Sequence, residues 1–205
     1  MSKIRHKLVV MISGNGSNLQ ALLDSDAYCG DIVLVVSNND RAYGLVRAKK
    51  QGIETYVPDK HNYDELLNKK LDEVQPDGII LAGYLKIVPQ QMVKQYQNKI
   101  INIHPSLIPS FCGKGYYGAK VAQAALDYGV RYTGVTTHFV SEQADEGPII
   151  FQEIVAINSE DTVTSLTNRV LEVEHALIVK TVIYFCNDCL KVDGRHVLIG
   201  GQHEA

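Results

Sequence analysis

The chain has 205 residues, of which 45% are hydrophobic, and its formal net charge is -3 at pH 7. A chain of this length and composition can bury one substantial core, so we expect a single domain over residues 1–205. The small negative charge excludes a broad electrostatic surface for nucleic acid, and the first apolar run, residues 8–12, is too short for a signal peptide or a membrane span. We therefore expect a soluble cytoplasmic protein without a nucleic-acid or membrane partner.

The cysteines do not form a metal-binding pattern. Cys186 and Cys189 make one C-x-x-C pair, whereas zinc sites usually need two such pairs or matching histidines. Free thiols in a reducing compartment are the expected state, and no metal is predicted. Whether Cys186 and Cys189 ever pair with each other stays open.

A glycine-rich turn follows the first predicted strand. The strand covers residues 7–12, the turn covers residues 13–18, and Leu19 begins a helical pattern. Backbone N–H groups at such a helix start bind anions, and Ser17 or Asn18 is the predicted N-cap. The turn lacks the spaced glycines of a dinucleotide fingerprint and the Gly-Lys-Ser/Thr of a Walker A loop. It indicates phosphate binding in general, with a simple tight turn as the alternative.

Strands and helices alternate through the first half of the chain, which predicts a doubly wound, mostly parallel α/β sheet. The apolar run at residues 78–82 has no polar interior residue, as is typical of a strand buried on both faces and paired in parallel. The loop at residues 110–118 is assigned no role beyond a flap. The other predicted strands are 32–37, 54–57, 133–140 and 149–157, the predicted helices are 43–51, 62–74, 90–95, 119–128 and 162–185, and residues 190–199 form a small C-terminal hairpin.

Polar side chains stand at the end of an otherwise apolar strand. Asn102 and His104 alternate with Ile101 and Ile103, so both polar side chains project into one space. Pro105 ends the pairing and holds His104 in extended geometry at the carboxyl end of the strand, where ligands of open α/β sheets bind. Taken alone, the pattern fits equally well a hydrogen-bonded histidine at a strand end and a turn-forming asparagine.

Two further polar segments follow the carboxyl ends of predicted strands. One is the turn at residues 13–18, and the other is the loop that carries Asp145. An imidazole, a carboxylate and an amide donor beside an anion site can support acyl transfer. His138, on the strand before that loop, is predicted to be a packed or supporting residue.

Five segments in order carry a family resemblance: ISGNGSNLQ at 12–20, LAGYLKIV at 81–88, INIHPSLIP at 101–109, THFVSEQADEGP at 137–148 and EHA at 174–176. With them, essentially the whole chain resembles the phosphoribosylglycinamide formyltransferase family of folate-dependent enzymes. The resemblance implies a Rossmann-like formyltransferase fold, with a nucleotide-binding half at about 1–100 and a folate and catalytic half at about 101–205. It implies transfer of a formyl group from the cosubstrate 10-formyltetrahydrofolate to the amino group of glycinamide ribonucleotide in de novo purine biosynthesis.

Position by position, the resemblance also implies the site residues. Asn102, His104 and Asp145 match the catalytic residues. Glu174 matches a carboxylate near the glycinamide and ribose end of the nucleotide, and Lys60 stands where relatives often carry an arginine that reaches the folate glutamate tail. The residues that match the nucleotide site are Gly16, Ser17, Asn18, Leu19 and Gln20, and those that match the folate pocket are Leu85, Lys86, Ile87, Val88, Asn102, Val140 and Ala144.

The expected chemistry needs hydrogen-bond donors fixed in advance. Attack of a neutral amine on a formyl carbon builds a tetrahedral intermediate with a negative oxygen. Asn102 can donate from its amide, and a protonated His104 can donate as well, because the Asp145 carboxylate favours the charged ring. The proton of the amine must finally reach the departing folate nitrogen, through His104 or a water.

Other functions stay open from the residues alone. The alternatives are a 10-formyltetrahydrofolate hydrolase and a non-catalytic nucleotide-binding module, although the module leaves Asn102, His104 and Asp145 unexplained. Methionyl-tRNA formyltransferase is expected to need an added C-terminal domain and formyltetrahydrofolate deformylase an added N-terminal one, for which 205 residues leave no room. The expected partners are the small molecules glycinamide ribonucleotide and formyl-folate, for a monomer or a homodimer.

Overall fold

A computed structural model describes residues 5–200, so the two ends of the predicted domain, residues 1–4 and 201–205, lie outside it. Seven strands form one sheet in the order β3-β2-β1-β4-β5-β6-β7, and the last two strands form a separate hairpin. In chain order the elements are β1 (His6–Ile12), α1 (Ser17–Leu23), β2 (Gly30–Ser37), α2 (Tyr43–Lys50), β3 (Glu54–Tyr56), α3 (Tyr63–Val74), β4 (Gly78–Leu81), α4 (Gln90–Gln95), β5 (Ile100–His104), α5 (Ala119–Tyr128), β6 (Tyr132–Phe139), β7 (Ile149–Ala156), α6 (Val163–Cys186), β8 (Leu190–Asp193) and β9 (His196–Ile199).

The pairing of the strands confirms the predicted fold class. β3, β2, β1, β4 and β5 pair in parallel, whereas β6 pairs antiparallel with both β5 and β7. β8 and β9 form the antiparallel C-terminal hairpin. The sheet is therefore doubly wound and mostly parallel, with an antiparallel extension at one side.

Alternate residues of the central strands fill two separate cores. In β1, Leu8, Val10 and Ile12 pack with α1, α2, α5 and α6, while Val9 and Met11 pack with α3 and α4. All of these side chains are fully buried. Because successive side chains of a strand point to opposite faces, a strand covered by helices on both sides must be apolar throughout.

The strand order reverses between β1 and β4. The loops after these strands meet there: the Ser13 N–H donates to the Gly83 carbonyl at 3.1 Å, and the Leu85 N–H donates to Ser13 Oγ at 2.8 Å. Ligands of open α/β sheets bind at such a reversal point. The turn at residues 13–18 and the segment after β4 therefore meet at the point where the fold favours a ligand.

The switch to antiparallel pairing changes where the loop with Asp145 begins. β6 runs opposite to β5, so its end lies beside the start of β5, where the Val140 N–H donates to the Ile100 carbonyl at 2.8 Å. The loop with Asp145 follows the carboxyl end of β6 as expected, but antiparallel pairing places that end beside the start of β5, and the loop folds back to His104. Because the loop folds back, Asp145 Oδ2 lies 3.7 Å from His104 Nδ1.

The start of α2 packs directly on the glycine turn. The Gly44 N–H donates to the Gly14 carbonyl at 3.1 Å. Gly16 lies in the left-handed region with φ +74°, and a Cβ atom there would stand 2.7 Å from Gly44 Cα. The close approach of two backbones therefore requires glycine at this position for space as well as for conformation.

Replacing Gly16 by alanine should destabilise the fold by about 2–4 kcal/mol, because backbone strain and a backbone clash add up. Gly52→Ala is the matched control: Gly52 has a similar φ of +71° but no atom within 4 Å of its Cβ position. It should cost only about 1 kcal/mol. Urea unfolding measures both free energies, and equal losses would contradict the packing role of Gly16.

Candidate active site

The glycine turn enters α1 through a backbone cap. Gly16 is the N-cap residue, and no side chain caps the helix. The prediction that Ser17 or Asn18 caps α1 is therefore wrong, since Ser17 is the first helical residue and the Asn18 amide is used elsewhere. The positive φ of Gly16, rather than a hydroxyl or amide, sets the start of the helix.

Arg47 of α2 clamps the outside of the turn. Its Nε–H donates to the Asn15 carbonyl at 3.0 Å, its Nη2 to Asn15 Oδ1 at 2.8 Å, and its Nη1 to Gln20 Oε1 at 3.0 Å. The guanidinium also lies over the ring of Tyr43, 4.9 Å from its centroid. A fixed positive charge thus stands beside the predicted phosphate site. Sequence reasoning missed Arg47, because nothing local links a residue on α2 to this turn.

Asn18 connects the turn to Glu174 on α6. Its Nδ2 donates to Glu174 Oε2 at 2.6 Å. Burial raises the pKa of Glu174 to about 7, and the hydrogen bond from Asn18 opposes this rise. Glu174 also lines a small pocket together with Pro105, Thr133 and Thr167. Glu174, which is predicted to lie near the ribose end of the nucleotide, is therefore situated between the glycine turn and Pro105, the residue after His104.

The segment predicted for the folate pocket leaves apolar side chains open to solvent. Leu85 is 59% exposed and Ile87 is 71% exposed. Val88 and Val140 pack together against the core below α3 and α4. Exposed apolar side chains at the strand-order reversal are typical of a ligand-binding surface.

Contacts to α3 hold this segment in place. Tyr84 donates its hydroxyl to Tyr63 Oη at 2.9 Å. Burial raises the pKa of both phenols, so both keep their protons at neutral pH. Lys86 pairs with Asp64, and its ammonium lies 4.1 Å from the centroid of the Tyr63 ring. Lys86 therefore has an anionic partner within the chain.

The other predicted folate residues lie on loops. Lys60 is exposed between β3 and α3, the helix to which Lys86 is tied, and Ala144 is exposed next to Asp145. Within residues 5–200, no group of three or more His, Cys, Asp or Glu side chains is placed to hold a metal ion. None of the helices described in this range combines the length and the apolar character that crossing a bilayer requires.

Asn102, His104 and Asp145 meet in one cluster. Asp145 Oδ1 accepts a hydrogen bond from Asn102 Nδ2 at 3.3 Å, and Asp145 Oδ2 lies 3.7 Å from His104 Nδ1. The Gly113 N–H donates to the same Oδ2 at 2.8 Å. His104 Nε2 lies 3.0 Å from the Phe111 carbonyl, and because a carbonyl only accepts, this nitrogen carries a proton. The loop expected to be a mere flap thus supplies two backbone groups to the cluster.

Burial decides the charge of His104. Burial lowers the pKa of the imidazole and the His138 ring lowers it further, while the Asp145 carboxylate and the Phe111 carbonyl raise it; the result lies below the ordinary value of 6.5. The ring is therefore neutral at pH 7, which corrects the expectation of a protonated His104. Burial also raises the pKa of Asp145, but the His138 ring, His104 and the Gly113 N–H outweigh burial and lower it, so Asp145 is ionised.

The fold and this site together define an α/β protein whose groups can support acyl transfer: a doubly wound sheet brings an imidazole, a carboxylate and a carboxamide into one cluster and carries a glycine turn at the end of β1. Residues 6–182 match the family model described as formyl transferase. The chain therefore belongs to the formyl transferase family.

Comparison with individual relatives shows to which group of formyl transferases the chain belongs. The trifunctional purine biosynthetic protein adenosine-3 of Gallus gallus is 44% identical over 82% of this chain, which spans only 17% of that longer protein. Phosphoribosylglycinamide formyltransferase of Escherichia coli (strain K12) is 35% identical, with 95% of this chain and 94% of the relative covered. The crystal structure of phosphoribosylglycinamide formyltransferase from Anaplasma phagocytophilum has a TM-score of 0.90 at 39% identity, with 98% and 97% of the two chains covered. Within the formyl transferases, this chain belongs to the phosphoribosylglycinamide formyltransferases.

The hydrolase alternative has a more distant structural neighbour. A formyltetrahydrofolate deformylase from Pseudomonas syringae has a TM-score of 0.87 at 28% identity, and the match covers 96% of this chain but 66% of that one. The two activities thus share one fold, and the residues of the site must decide between them.

Replacing Asp145 by asparagine should lower the pKa of His104 further, because the carboxylate is the charge that raises it. The C–H resonances of His104, followed by NMR against pH, measure this pKa. His196 on the exposed β9 is the internal control, and the chemical shifts of its C–H groups should be the same in both proteins. An unchanged titration of His104 would show that Asp145 does not act on the ring.

Replacing Glu174 by glutamine should remove a pH-dependent cost of folding. The folded chain keeps the proton of Glu174 up to about pH 7, whereas the unfolded chain loses it near the ordinary pKa of 4.5. Protonation of Glu174 therefore makes its full contribution to the free energy of unfolding below the ordinary pKa. This contribution is lost as the pH rises to about 7. In urea unfolding without ligands, we expect the variant to exceed the wild type by ~1–3 kcal/mol at pH 8 and to equal it at pH 4.

The exposed Glu172 on the same helix provides the control. Glu172→Gln should change the free energy of unfolding at pH 8 by less than about 0.5 kcal/mol, because exposed charges contribute little. A Glu174→Gln variant that is less stable than the wild type at pH 8 would contradict a buried carboxylate with a raised pKa.

Proposed function

We propose that this chain transfers a formyl group from 10-formyltetrahydrofolate to the amino group of glycinamide ribonucleotide in de novo purine biosynthesis. The observation that carries the proposal is the cluster of Asn102, His104 and Asp145. Asn102 is paired with Leu81 at the end of β4, and the segment after β4 is hydrogen-bonded to the glycine turn through Ser13. Membership of the phosphoribosylglycinamide formyltransferases supports this choice of substrates.

The nucleotide binds along the turn and α6. Its phosphate lies against the backbone of the segment Gly16, Ser17, Asn18, Leu19 and Gln20, where the Arg47 guanidinium favours an anion. Glu174, joined to Asn18 at 2.6 Å, faces the ribose and glycinamide end. The raised pKa of Glu174 leaves it able to donate or accept a hydrogen bond near neutral pH.

The folate binds against the segment after β4. Its pterin ring contacts the exposed Leu85 and Ile87, next to the packed Val88 and Val140. The exposed Lys60 suits the anionic glutamate tail, and the loop that bears Asp145 closes the pocket. In addition to Asn102, the residues proposed for this pocket are Lys60, Leu85, Lys86, Ile87, Val88, Val140 and Ala144.

The charge states at rest suggest the order of proton transfers. As the amine nitrogen bonds to the formyl carbon, the neutral His104 accepts the proton that the amine loses. Asn102 donates an N–H to the oxygen that becomes negative, and Asp145 stabilises the charged imidazole. The bond between the formyl carbon and the folate nitrogen then breaks, and the proton passes from His104 to that nitrogen, directly or through a water. The products are the formylated amine and tetrahydrofolate.

His104 must exchange one hydrogen bond before it can act. At rest its Nε2 is engaged by the Phe111 carbonyl, and the same loop holds Asp145 through the Gly113 N–H. Displacing this loop releases both side chains together. The Asp145 carboxylate then favours the proton on Nδ1 of His104, which leaves the Nε2 lone pair for the amine.

We further propose one domain with a nucleotide-binding half at about 1–100 and a folate and catalytic half at about 101–205. Glu174 and Leu85 indicate that each ligand would draw on both halves. The chain acts on small molecules in the cytoplasm as a monomer or a homodimer. Its net charge of -3 supports the absence of a nucleic-acid partner.

The enzyme should deformylate 10-formyltetrahydrofolate only when glycinamide ribonucleotide is present. His104→Ala and Asp145→Asn should each lower kcat by about 100-fold or more, because each removes a group that handles the proton or its charge. Absorbance of the folate follows the reaction, and thermal melting checks that the variants fold. His196→Ala, on the exposed hairpin, should keep wild-type activity.

Three results would overturn parts of this proposal. Folate deformylation without the nucleotide would indicate a hydrolase. Nucleotide binding without turnover would indicate a binding module. Normal activity in both variants would remove the catalytic assignment of His104 and Asp145.

A further inference from the structure

His138 is buried beside the cluster, yet the proton transfers above do not use it. It lies on β6 directly opposite Asn102 on β5, and its side chain is 2% exposed. Its Nδ1 lies 2.9 Å from the Phe139 carbonyl. Its Nε2 lies 3.1 Å from Asn102 Nδ2 and 3.6 Å from Asp145 Oδ1. Both ring nitrogens therefore face fixed polar neighbours.

The Phe139 carbonyl decides which nitrogen of His138 carries the proton. A carbonyl oxygen only accepts hydrogen bonds, so Nδ1 must be the donor at 2.9 Å. In the neutral ring the lone pair then belongs to Nε2. Nε2 is consequently an acceptor that faces Asn102.

Asp145 decides which end of the Asn102 carboxamide faces the cluster. The Asn102 atom that lies 3.3 Å from Asp145 Oδ1 must be the nitrogen, because an amide oxygen there would face an ionised carboxylate. The same nitrogen lies 3.1 Å from His138 Nε2, which accepts its second hydrogen. Reversing the carboxamide would place its oxygen against both a carboxylate and a lone pair.

We infer that His138 is a positioning residue: as a neutral ring protonated on Nδ1, it accepts one amide hydrogen of Asn102 and holds the amide nitrogen toward the reacting formyl group. The inference rests on the proposed function, since it concerns the donor that Asn102 offers to the intermediate. When the loop that bears Asp145 is displaced, the amide hydrogen at the 3.3 Å contact loses this acceptor and donates instead to the developing oxyanion, without rotation of the carboxamide. His138 keeps the other hydrogen and thereby prevents rotation of the carboxamide.

A doubly protonated His138 is the competing arrangement. Its Nε2–H would donate to Asp145 Oδ1, the contact through which the His138 ring lowers the pKa of Asp145, and would repel the amide hydrogens of Asn102. At 3.6 Å, however, this contact is longer than a hydrogen bond. His104 and Asp145 are the titratable groups that face this ring. The shorter 3.1 Å distance to Asn102 favours the neutral ring.

The tautomer can be measured without any substrate. Nitrogen NMR of the enzyme labelled with ¹⁵N-histidine, at neutral pH, should show His138 with a protonated Nδ1 and an unprotonated Nε2. The signal is assigned by its loss in His138→Gln, or in His138→Leu if the first variant does not fold. A proton on Nε2 would overturn the inference, whether or not the enzyme proves to be a transferase.

Kinetics of two variants test the positioning role. Leucine cannot accept a hydrogen bond, so His138→Leu should lower kcat by about 10- to 100-fold, since a mis-set oxyanion donor costs this much, and leave both KM values within about 2-fold. The side-chain oxygen of glutamine can replace Nε2, so His138→Gln should recover most of kcat. His196→Leu on the exposed hairpin is the control and should match the wild type.

Equal kcat values for the leucine and glutamine variants, or wild-type kcat in His138→Leu, would contradict the inference. Melting temperatures of the two variants show whether a loss of kcat comes from unfolding. If it does, the NMR measurement of the His138 tautomer tests the inference alone. An inactive wild-type enzyme would instead refute the proposed function and leave the hydrogen bond between His138 and Asn102 to the NMR result.

Discussion

The buried carboxylate of Asp145 is the group on which the site depends. Asn102 and Gly113 donate to it, and the rings of His104 and His138 stand within 3.7 Å and 3.6 Å of its oxygens. A buried charge is tolerated only when it is paired and hydrogen-bonded. The carboxylate therefore brings β5, β6 and the loop after β5 to one point, and the same contacts lower its pKa.

The change from parallel to antiparallel pairing makes this convergence possible. The parallel strands build the glycine turn and the reversal point between β1 and β4, as a doubly wound sheet does. Antiparallel pairing then places His138 opposite Asn102 in register and sends the following loop back across the sheet. If β6 were parallel to β5, its end would lie beside the end of β5 and not beside its start. The loop with Asp145 would then begin at the opposite edge of the sheet. The proposed nucleotide site thus depends on the parallel strands, whereas the cluster of Asn102, His104 and Asp145 depends on the antiparallel pairing of β5 and β6.

Ser13 joins the two proposed binding segments, the glycine turn and the segment after β4. It accepts a hydrogen bond from the Leu85 N–H at 2.8 Å and donates to Asn38 Oδ1 at 2.7 Å. The turn is clamped from outside by Arg47, and the segment after β4 is tied to α3 through Tyr84. Transfer between two bound molecules requires their reacting atoms to be held about 3 Å apart, so rigid coupling of the two segments serves the reaction directly.

Local features were enough to predict the elements and many of the polar residues. Helical and strand periods placed the sheet and its helices with bounds close to those observed, and the alternation around Asn102 and His104 correctly put both side chains on one side. These features depend on neighbouring residues, whose dihedral preferences and spacing can be read along the chain. The glycine turn at residues 13–18 was also predicted from the local sequence.

Only the tertiary structure decided the cap at Gly16, the clamp by Arg47, the return of the loop with Asp145 and the charge of His104. Each depends on residues far apart in the chain: α2 packs on Gly16, and burial outweighs the attraction of Asp145 for a protonated imidazole. Desolvation and hydrogen-bond partners are set by how all segments pack together, so no local pattern contains them. The amino-acid order thus determined which chemical groups this protein has and on which strands they stand, and packing determined their charges and their partners.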